Sequence, residues 1–294
     1  MSAPATSAPG ELSPEQIQVL LTPVPPWKQG ALWKSIAIAL VSSIVLLAIV
    51  AFILSNSTGW ESFRQAFLSW PNFKAAWPLV LDGFKLNIKI FMIAEPFILA
   101  IGLLIALIRV TRSPVLFPLR AFAVVYTDFF RGAPAILVIL MLGFGMPALR
   151  LQGVPKDPIF WGTVACILTS SAYTAETFRA GIDSVHPSQR AAARSLGFSN
   201  LQTLRMVVLP QAIRRQIPPL LSGFVALQKE TALVSVIGPL EATRQAQIYS
   251  GLYFNFTSYL TAAVLFIAIT VPLARFTDYL VKRDARRRSA GGAY

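Results

Sequence analysis

Charged side chains stand inside long apolar stretches of this sequence, where an ion needs a partner or water. Glu95 precedes Pro96, and Lys229 precedes Glu230. Pro96 leaves a carbonyl of the preceding helical turn without its donor, which makes a polar spot near Glu95. Successive helix residues point about 100° apart, so Lys229 and Glu230 cannot both face one narrow channel. We therefore predict that Glu95 and one member of the pair contact a polar solute, the alternative being pairing with neighbouring helices.

The sequence shows no pattern typical of a catalytic, metal or nucleotide site. It has one cysteine, Cys166, in an apolar run, and one histidine, His186. These exclude an intrachain disulfide and make a zinc site or a Ser-His-Asp triad improbable on composition. Glycine is never followed by lysine, so the chain lacks the phosphate-binding loop of ATPases. We predict no catalytic residue, no metal and no cofactor bound by this chain.

Composition places the chain in a membrane. Of 294 residues, 55% are apolar and 13% are charged, and the mean hydropathy is +0.60. Soluble domains have about 25% charged residues. The net charge of +13 is explained by membrane topology and by attraction to anionic membrane lipid, so we do not expect nucleic-acid binding.

The elements that must position these residues are membrane helices, because only a helix satisfies its own backbone in lipid. The fold predicted is an all-α bundle of six spans, with the segment 60–77 at the interface. The spans are expected at about 36–54, 84–108, 119–144, 159–178, 217–237 and 259–280, with the third broken at 131–134. A disordered tail (1–34) precedes the membrane domain (35–282), and a basic tail (283–294) follows it.

Lysine and arginine are concentrated near both termini and in the loop between the fourth and fifth spans. The positive-inside rule therefore predicts that these parts are cytoplasmic. A local salt bridge is expected between Glu176 and Arg179, which are three residues apart on a helix. Arg131, next to the break in the third span, is expected to anchor that break.

The sequence of the cytoplasmic loop predicts two helices joined by a turn. His186 can start the first helix, Gly197 suits the position after its end, and Ser199 or Asn200 can cap the second helix. The second helix is expected to end before Pro210. The alternative is an ordinary amphipathic loop.

Residues in this loop resemble the EAA loop of permease subunits of type I ABC importers, in the polar-amino-acid branch. The residues with matching spacing are Ala191, Ala192, Ala193, Gly197, Val207, Val208, Leu209 and Pro210. The resemblance implies that Ala191, Ala192, Ala193, Arg194, Gly197, Leu209 and Pro210 couple this chain to the ATPase. Further stretches with the same resemblance are 130–134, 172–176, 178–181, 209–212, 228–233 and 244–247, so that it covers about 82–280. Ala191 replaces the family's glutamate and Val207 its isoleucine. An ion pair made by that glutamate must be absent here or rebuilt, with Arg190 and Arg194 as candidates.

The resemblance implies a bacterial inner-membrane subunit that moves a polar amino acid by alternating access. The implied partners are two ATPase subunits, which use the ATP, a second identical or similar permease, and an external solute-binding protein. The substrate pathway would include Gln228, Lys229, Glu230 and Thr231, with Glu95. The alternative is an ion-coupled secondary transporter with Glu95 or Glu230 as its proton site, which would not need the loop; a membrane-embedded enzyme is disfavoured.

Overall fold

The computed structural model describes residues 30–111 and 113–291. These residues are helical almost throughout and contain no strand, which confirms the all-α fold. The helices are α1 (Gly30–Ser55), α2 (Trp60–Phe67), α3 (Trp70–Val110), α4 (Phe117–Gly132), α5 (Ala135–Ala148), α6 (Pro158–Asp183), α7 (Pro187–Ser195), α8 (Asn200–Gln202), α9 (Leu209–Glu230), α10 (Ala242–Tyr253) and α11 (Thr257–Gly291). Short 3₁₀ segments lie at Pro114–Leu116 and Thr231–Ile237, and Thr203–Val208 is a π-helical segment.

The chain divides into two compact units, one ending at Ser62 and the other beginning at Phe63. The first unit contains α1, whose segment Ile36–Ser55 has a hydropathy of 3.0 and is long enough to cross a membrane. Most of the predicted tail, residues 1–29, lies outside the described residues, whereas 30–34 already belong to α1.

In the described ranges, four helical segments are long and apolar enough to span a membrane, and a fifth arises if α4 and α5 count as one bent span. The four are Ile36–Ser55, Trp60–Val110, Asn200–Ile237 and Thr257–Arg283. The bend of 105° between α4 and α5 confirms the predicted break. The count of six spans stays a prediction because α6 falls outside this set. Yet α6 packs against α3, α4, α5 and α9, and a helix enclosed by protein can carry polar side chains.

The second predicted span is longer than its apolar pattern indicated. We predicted a start at Phe84, but α3 begins at Trp70 and includes part of the predicted interfacial segment. Pro71 lies in its first turn, where a missing N–H is tolerated. Lys85 and Lys89 are therefore inside the helix rather than at its beginning.

A continuous apolar core joins α3, α5, α6 and α9 with the 3₁₀ segment that follows α9. Its members include Ile90, Ile139, Cys166, Leu227 and Val234. Cys166 is 3% exposed and packs as a small apolar side chain. This core fixes the mutual positions of the three helices that line the site described below.

A buried polar network ties α3 to the start of α10. The Asn87 side chain donates to Thr231 Oγ1 (3.2 Å) and to Glu241 Oε2 (2.9 Å), and it accepts from the Ala242 N–H (3.1 Å). Glu241 caps α10 by also accepting from the Thr243 N–H. Burial raises the pKa of the Glu241 carboxyl, and the hydrogen bonds that it accepts oppose this rise. The network thus holds two segments that are far apart in sequence.

Candidate functional site

A pocket of about 360 Å³ lies between α3, α6 and α9. This volume is within the range of about 300–1,000 Å³ that is typical of small-molecule sites. The lining residues are Glu95, Ile98, Ser170, Tyr173, Thr174, Thr177, Pro219, Leu220, Ser222, Gly223, Phe224, Ala226, Leu227 and Glu230. The pocket therefore combines an apolar wall with hydroxyl groups and two carboxyl groups.

Helical periodicity explains why these residues share one cavity. On α6, Ser170, Tyr173, Thr174 and Thr177 are three or four residues apart and so occupy one face. The α9 lining includes residues at this spacing, such as Pro219, Gly223 and Glu230, together with their neighbours Leu220, Ser222, Phe224, Ala226 and Leu227. Helix α6 thus presents a narrow face to the pocket, and α9 presents a broader one.

The two carboxyl groups of the pocket lack cationic partners among the described residues. Glu230 accepts a hydrogen bond from Ser170 Oγ at 3.4 Å. Glu95 has no hydrogen bond or ion pair with any of the residues that the structure describes. No lysine, arginine or histidine lines the pocket within the described ranges. A ligand with positive charge would meet both carboxylates without displacing an existing ion pair.

The other predicted pathway residues lie outside this pocket. Lys229 is exposed and is not part of the lining, in keeping with the 100° turn from Glu230. Gln228 is buried, and its Oε1 accepts from Thr270 Oγ1 at 2.7 Å. Thr231 belongs to the Asn87 network. The structure thus brings Glu95 and Glu230 together, and it separates Gln228, Lys229 and Thr231 from them.

An ion-pair cluster centred on Glu176 lies near the pocket. Arg179 Nη2 is 2.5 Å from Glu176 Oε1, which confirms the predicted local salt bridge. Arg109 Nη1 is 2.9 Å from Glu176 Oε2, and Arg131 Nη1 is 3.9 Å from the same oxygen. The guanidinium of Arg131 also lies 5.9 Å from the centroid of the Tyr173 ring. Sequence reasoning missed Arg109, because it lies on a different helix from Glu176.

The loop between α6 and α9 forms the predicted hairpin, with α7 as its first helix. His186 caps α7 through Nδ1, which accepts from the Ser188 N–H. After α7, Gly197 has φ +85°, and the N–H of Phe198 reaches the carbonyl of Ala193, as in a Schellman motif. Ser199 then forms a capping box for α8.

The second helix of the hairpin does not end before Pro210, contrary to the prediction. The π-helical segment continues α8 into α9, and the N–H of Leu209 bonds the carbonyl of Leu204. Pro210 thus lies in the first turn of α9, where the wider π turn removes the need for its missing N–H. Leu209 and Pro210 thus connect the hairpin, without a break in the helix, to the segment that lines the pocket.

The accessible surface of the hairpin is cationic and partly apolar. Ala191, Ala192 and Arg194 are exposed, whereas Ala193 is buried. Leu196 and Leu201 are more than two-thirds exposed. Residues 184–229 contain no aspartate or glutamate. A larger cavity, of about 910 Å³, lies behind the hairpin and is lined in part by Arg190 and Thr203.

Comparison with known proteins agrees with these features. Residues 98–286 match the family described as the inner membrane component of binding-protein-dependent transport systems. The probable glutamine ABC transporter permease protein GlnM of Bacillus subtilis (strain 168) is 35% identical over 70% of this chain and 93% of its own length. The arginine transport system permease protein ArtQ of the same organism is 30% identical over 71% of this chain and 93% of its own length.

Solved structures show the same architecture. The crystal structure of an amino acid ABC transporter with histidines has a TM-score of 0.63 and 32% identity, over 70% of this chain and 94% of that one. An inward-facing methionine ABC transporter, MetNI, has a TM-score of 0.57 at 19% identity, which supports the fold alone. The resemblance seen in the hairpin residues is thereby confirmed: the chain belongs to the family of inner membrane components of binding-protein-dependent transport systems.

Proposed function

We propose that this chain is the transmembrane permease subunit of an ABC importer that carries a polar amino acid. The observation that supports this most strongly is the connection between hairpin and pocket. The chain is helical without interruption from Asn200 to Glu230, so a displacement of the hairpin moves the wall of the pocket. A secondary transporter does not require a mechanical connection between a cytoplasmic hairpin and its substrate pocket.

Helix α9 contains two consecutive prolines, Pro218 and Pro219, and Pro219 lines the pocket. Each proline removes one hydrogen bond from the helical ladder, which favours bending at this level. In the proposed cycle, closure of the ATPase subunits displaces the hairpin, α9 bends, and the pocket changes the side to which it opens. The chain moves its substrate by alternating access and makes no covalent change in it.

The proposed partners are two ATPase subunits at the hairpin, a second permease of identical or similar sequence, and an external solute-binding protein. The cationic, partly apolar hairpin is a surface suited to an acidic groove on an ATPase. ATP would be bound by that partner, since this chain lacks the phosphate loop. The proposed coupling residues are Ala191, Ala192, Ala193, Arg194, Gly197, Leu209 and Pro210, and the proposed pathway residues are Glu95 and Glu230, with Gln228, Lys229 and Thr231 behind or beside them.

The assembly is tested by ATP hydrolysis in nanodiscs that contain this chain with its ATPase. We expect the substrate-loaded binding protein to stimulate ATP hydrolysis by the complex. In a control that contains the ATPase and liposomes but not this chain, we expect no stimulation. A rate of ATP hydrolysis that does not change when the substrate-loaded binding protein is added would contradict the proposal.

We expect both termini and Arg194 to be cytoplasmic in an inner membrane. The reason is the concentration of lysine and arginine on that side. The measurement is thiol labelling of Arg194→Cys in a Cys166→Ala background, with a membrane-impermeant reagent. Labelling is expected only after the membrane is permeabilised, and Lys156→Cys, on the predicted external side, is the matched control. Labelling of Arg194→Cys in intact cells would contradict this topology.

A further inference from the structure

The cavity behind the hairpin, of about 910 Å³, lies where three parts of the membrane domain meet. The end of α3 contributes Val110, the end of α6 contributes Ile182, and the hairpin contributes Arg190 and Thr203. This cavity is separate from the pocket between α3, α6 and α9, because the two share no lining residue. A ligand bound here would contact the hairpin and the helices behind it at the same time.

Two buried polar groups at this cavity lack a hydrogen-bond partner among the described residues. Thr203 is 5% exposed, and its Oγ1 has no partner. The Nε of Arg190 is also buried and without a partner, although Nη2 of the same side chain donates to the Ile182 carbonyl at 2.8 Å. Leaving buried donors unsatisfied costs folding free energy, so these groups indicate a ligand that accepts their hydrogen bonds.

The positive charge at the cavity is not neutralised by the described part of the chain. Neither Arg190 nor Arg194 forms an ion pair there, and Nη1 of Arg194 donates to the Phe198 carbonyl. Asp183 is the one carboxylate of the described lining, and its Oδ2 is 2.5 Å from Arg179 Nη1, with which it pairs. The excess of positive charge favours an anion as the ligand.

The rest of the lining is largely apolar and distinguishes between kinds of anion. Its apolar side chains belong to one cluster that includes Ile182, Val185, Leu204 and Val208. A small ion would leave this wall in contact with water, whereas an amphiphilic anion covers it. A phosphate group presents several acceptor oxygens, so it can accept from Arg190 Nε and the Thr203 hydroxyl together.

The position of the cavity in the fold favours a lipid as the source of that phosphate group. Val110 is the last residue of Trp60–Val110, a segment that is long and apolar enough to span a membrane. The ends of such segments lie at the level of the lipid head groups. The cavity is therefore within reach of the head group of a membrane phospholipid.

We propose that this cavity binds a phosphate group, with an anionic phospholipid as its expected source. Arg190 Nε and Thr203 Oγ1 donate to the phosphate oxygens, Arg194 adds positive charge, and the glycerol and acyl part of the lipid covers the apolar wall. The bound lipid would hold the hairpin against α3 and α6. This site goes beyond the proposed function, because its ligand is retained and not transported.

The test measures the melting temperature of the full-length chain in nanodiscs. Cys166, the single cysteine, is buried and becomes accessible to a fluorescent thiol probe when the chain unfolds. Discs of phosphatidylcholine alone are compared with discs that also contain phosphatidylglycerol, and with phosphatidylcholine discs to which inorganic phosphate is added. We expect phosphatidylglycerol to raise the melting temperature by about 3 °C or more, as for a ligand well above its dissociation constant. A rise with inorganic phosphate instead would support the site and assign it to a soluble phosphate compound.

Thr203→Val is the most informative variant, because it removes the unpartnered hydroxyl and breaks no hydrogen bond of that group. Without a phosphate ligand its melting temperature should equal or exceed that of the wild type. The rise caused by the ligand should fall by at least half in Thr203→Val and in Arg190→Gln. Thr203→Ser, which keeps the hydroxyl, and Arg205→Gln, at an exposed arginine outside the lining, are the matched controls and should retain the rise.

Two results would overturn the proposal. One is a melting temperature of the wild type that rises with neither phosphate source. The other is an equal rise in the wild type, Thr203→Val and Arg190→Gln, which would indicate general attraction of a cationic chain to anionic lipid. Both results would leave the proposed function intact, since that function is tested by ATP-dependent uptake.

Discussion

Gly197→Asp is expected to abolish ATP-dependent uptake while leaving the protein inserted in the membrane. Gly197 has φ +85°, and a side chain in this left-handed conformation costs about 1 kcal/mol. Aspartate also introduces the only acid into residues 184–229. The bend between α7 and α8 and the charge of the proposed docking surface would therefore change together.

Uptake into proteoliposomes and retention of the ATPase during purification measure the effect. We expect both to fall at least tenfold in Gly197→Asp. Gly59→Asp is the matched control, because a Cβ at Gly59 also meets no atom within 4 Å but its φ is not left-handed. Gly197→Asn, which tolerates the left-handed conformation without a charge, should retain most of the activity. Normal complex formation with normal uptake in Gly197→Asp would show that the hairpin is not the coupling element.

Asn87→Leu is expected to lower the free energy of unfolding by several kcal/mol. The substitution removes the donor to Glu241 and Thr231 and the acceptor of the Ala242 N–H. Each buried polar group left unsatisfied costs about 1–3 kcal/mol. The site cannot relax easily, because a Cβ on nearby Gly83 would lie 2.6 Å from the backbone carbon of Glu241.

Thermal unfolding of the purified chain in detergent measures this loss. Asn56→Leu is the control, because Asn56 is exposed and its side chain donates to the Phe52 carbonyl within α1. Its expected effect is within about 0.5 kcal/mol, as for most surface substitutions. Similar melting temperatures for the two variants would show that the buried network does not hold α3 to α10.

The local features of the hairpin could be predicted because they depend on neighbouring residues. A cap at His186, the glycine after α7 and the capping box at Ser199 are each defined within a few positions, and all three occur. The end before Pro210 was wrong, because a π turn can absorb a proline without ending the helix. The rule that proline ends a helix assumes the regular α-helical hydrogen-bond pattern, and the segment Thr203–Val208 has a π-helical pattern instead.

Long-range features were harder to predict. The Asn87–Glu241 contact joins residues 154 positions apart, and neither residue stands out in sequence. Helix α10 was not foreseen, since it lies between spans and carries no apolar run. Glu95 and Glu230 could be named as costly intramembrane charges, yet only the packing of α3 and α9 against α6 places them in one pocket.

The central claim, that a partner's ATP hydrolysis drives this permease, is tested most directly by uptake into proteoliposomes containing the complete complex. We expect amino-acid uptake with enclosed ATP and added binding protein, unchanged when ionophores collapse proton and sodium gradients. Replacement of ATP by a non-hydrolysable analogue should remove it. Uptake that persists without ATP and disappears with the ion gradient would contradict the account and identify an ion-coupled secondary transporter.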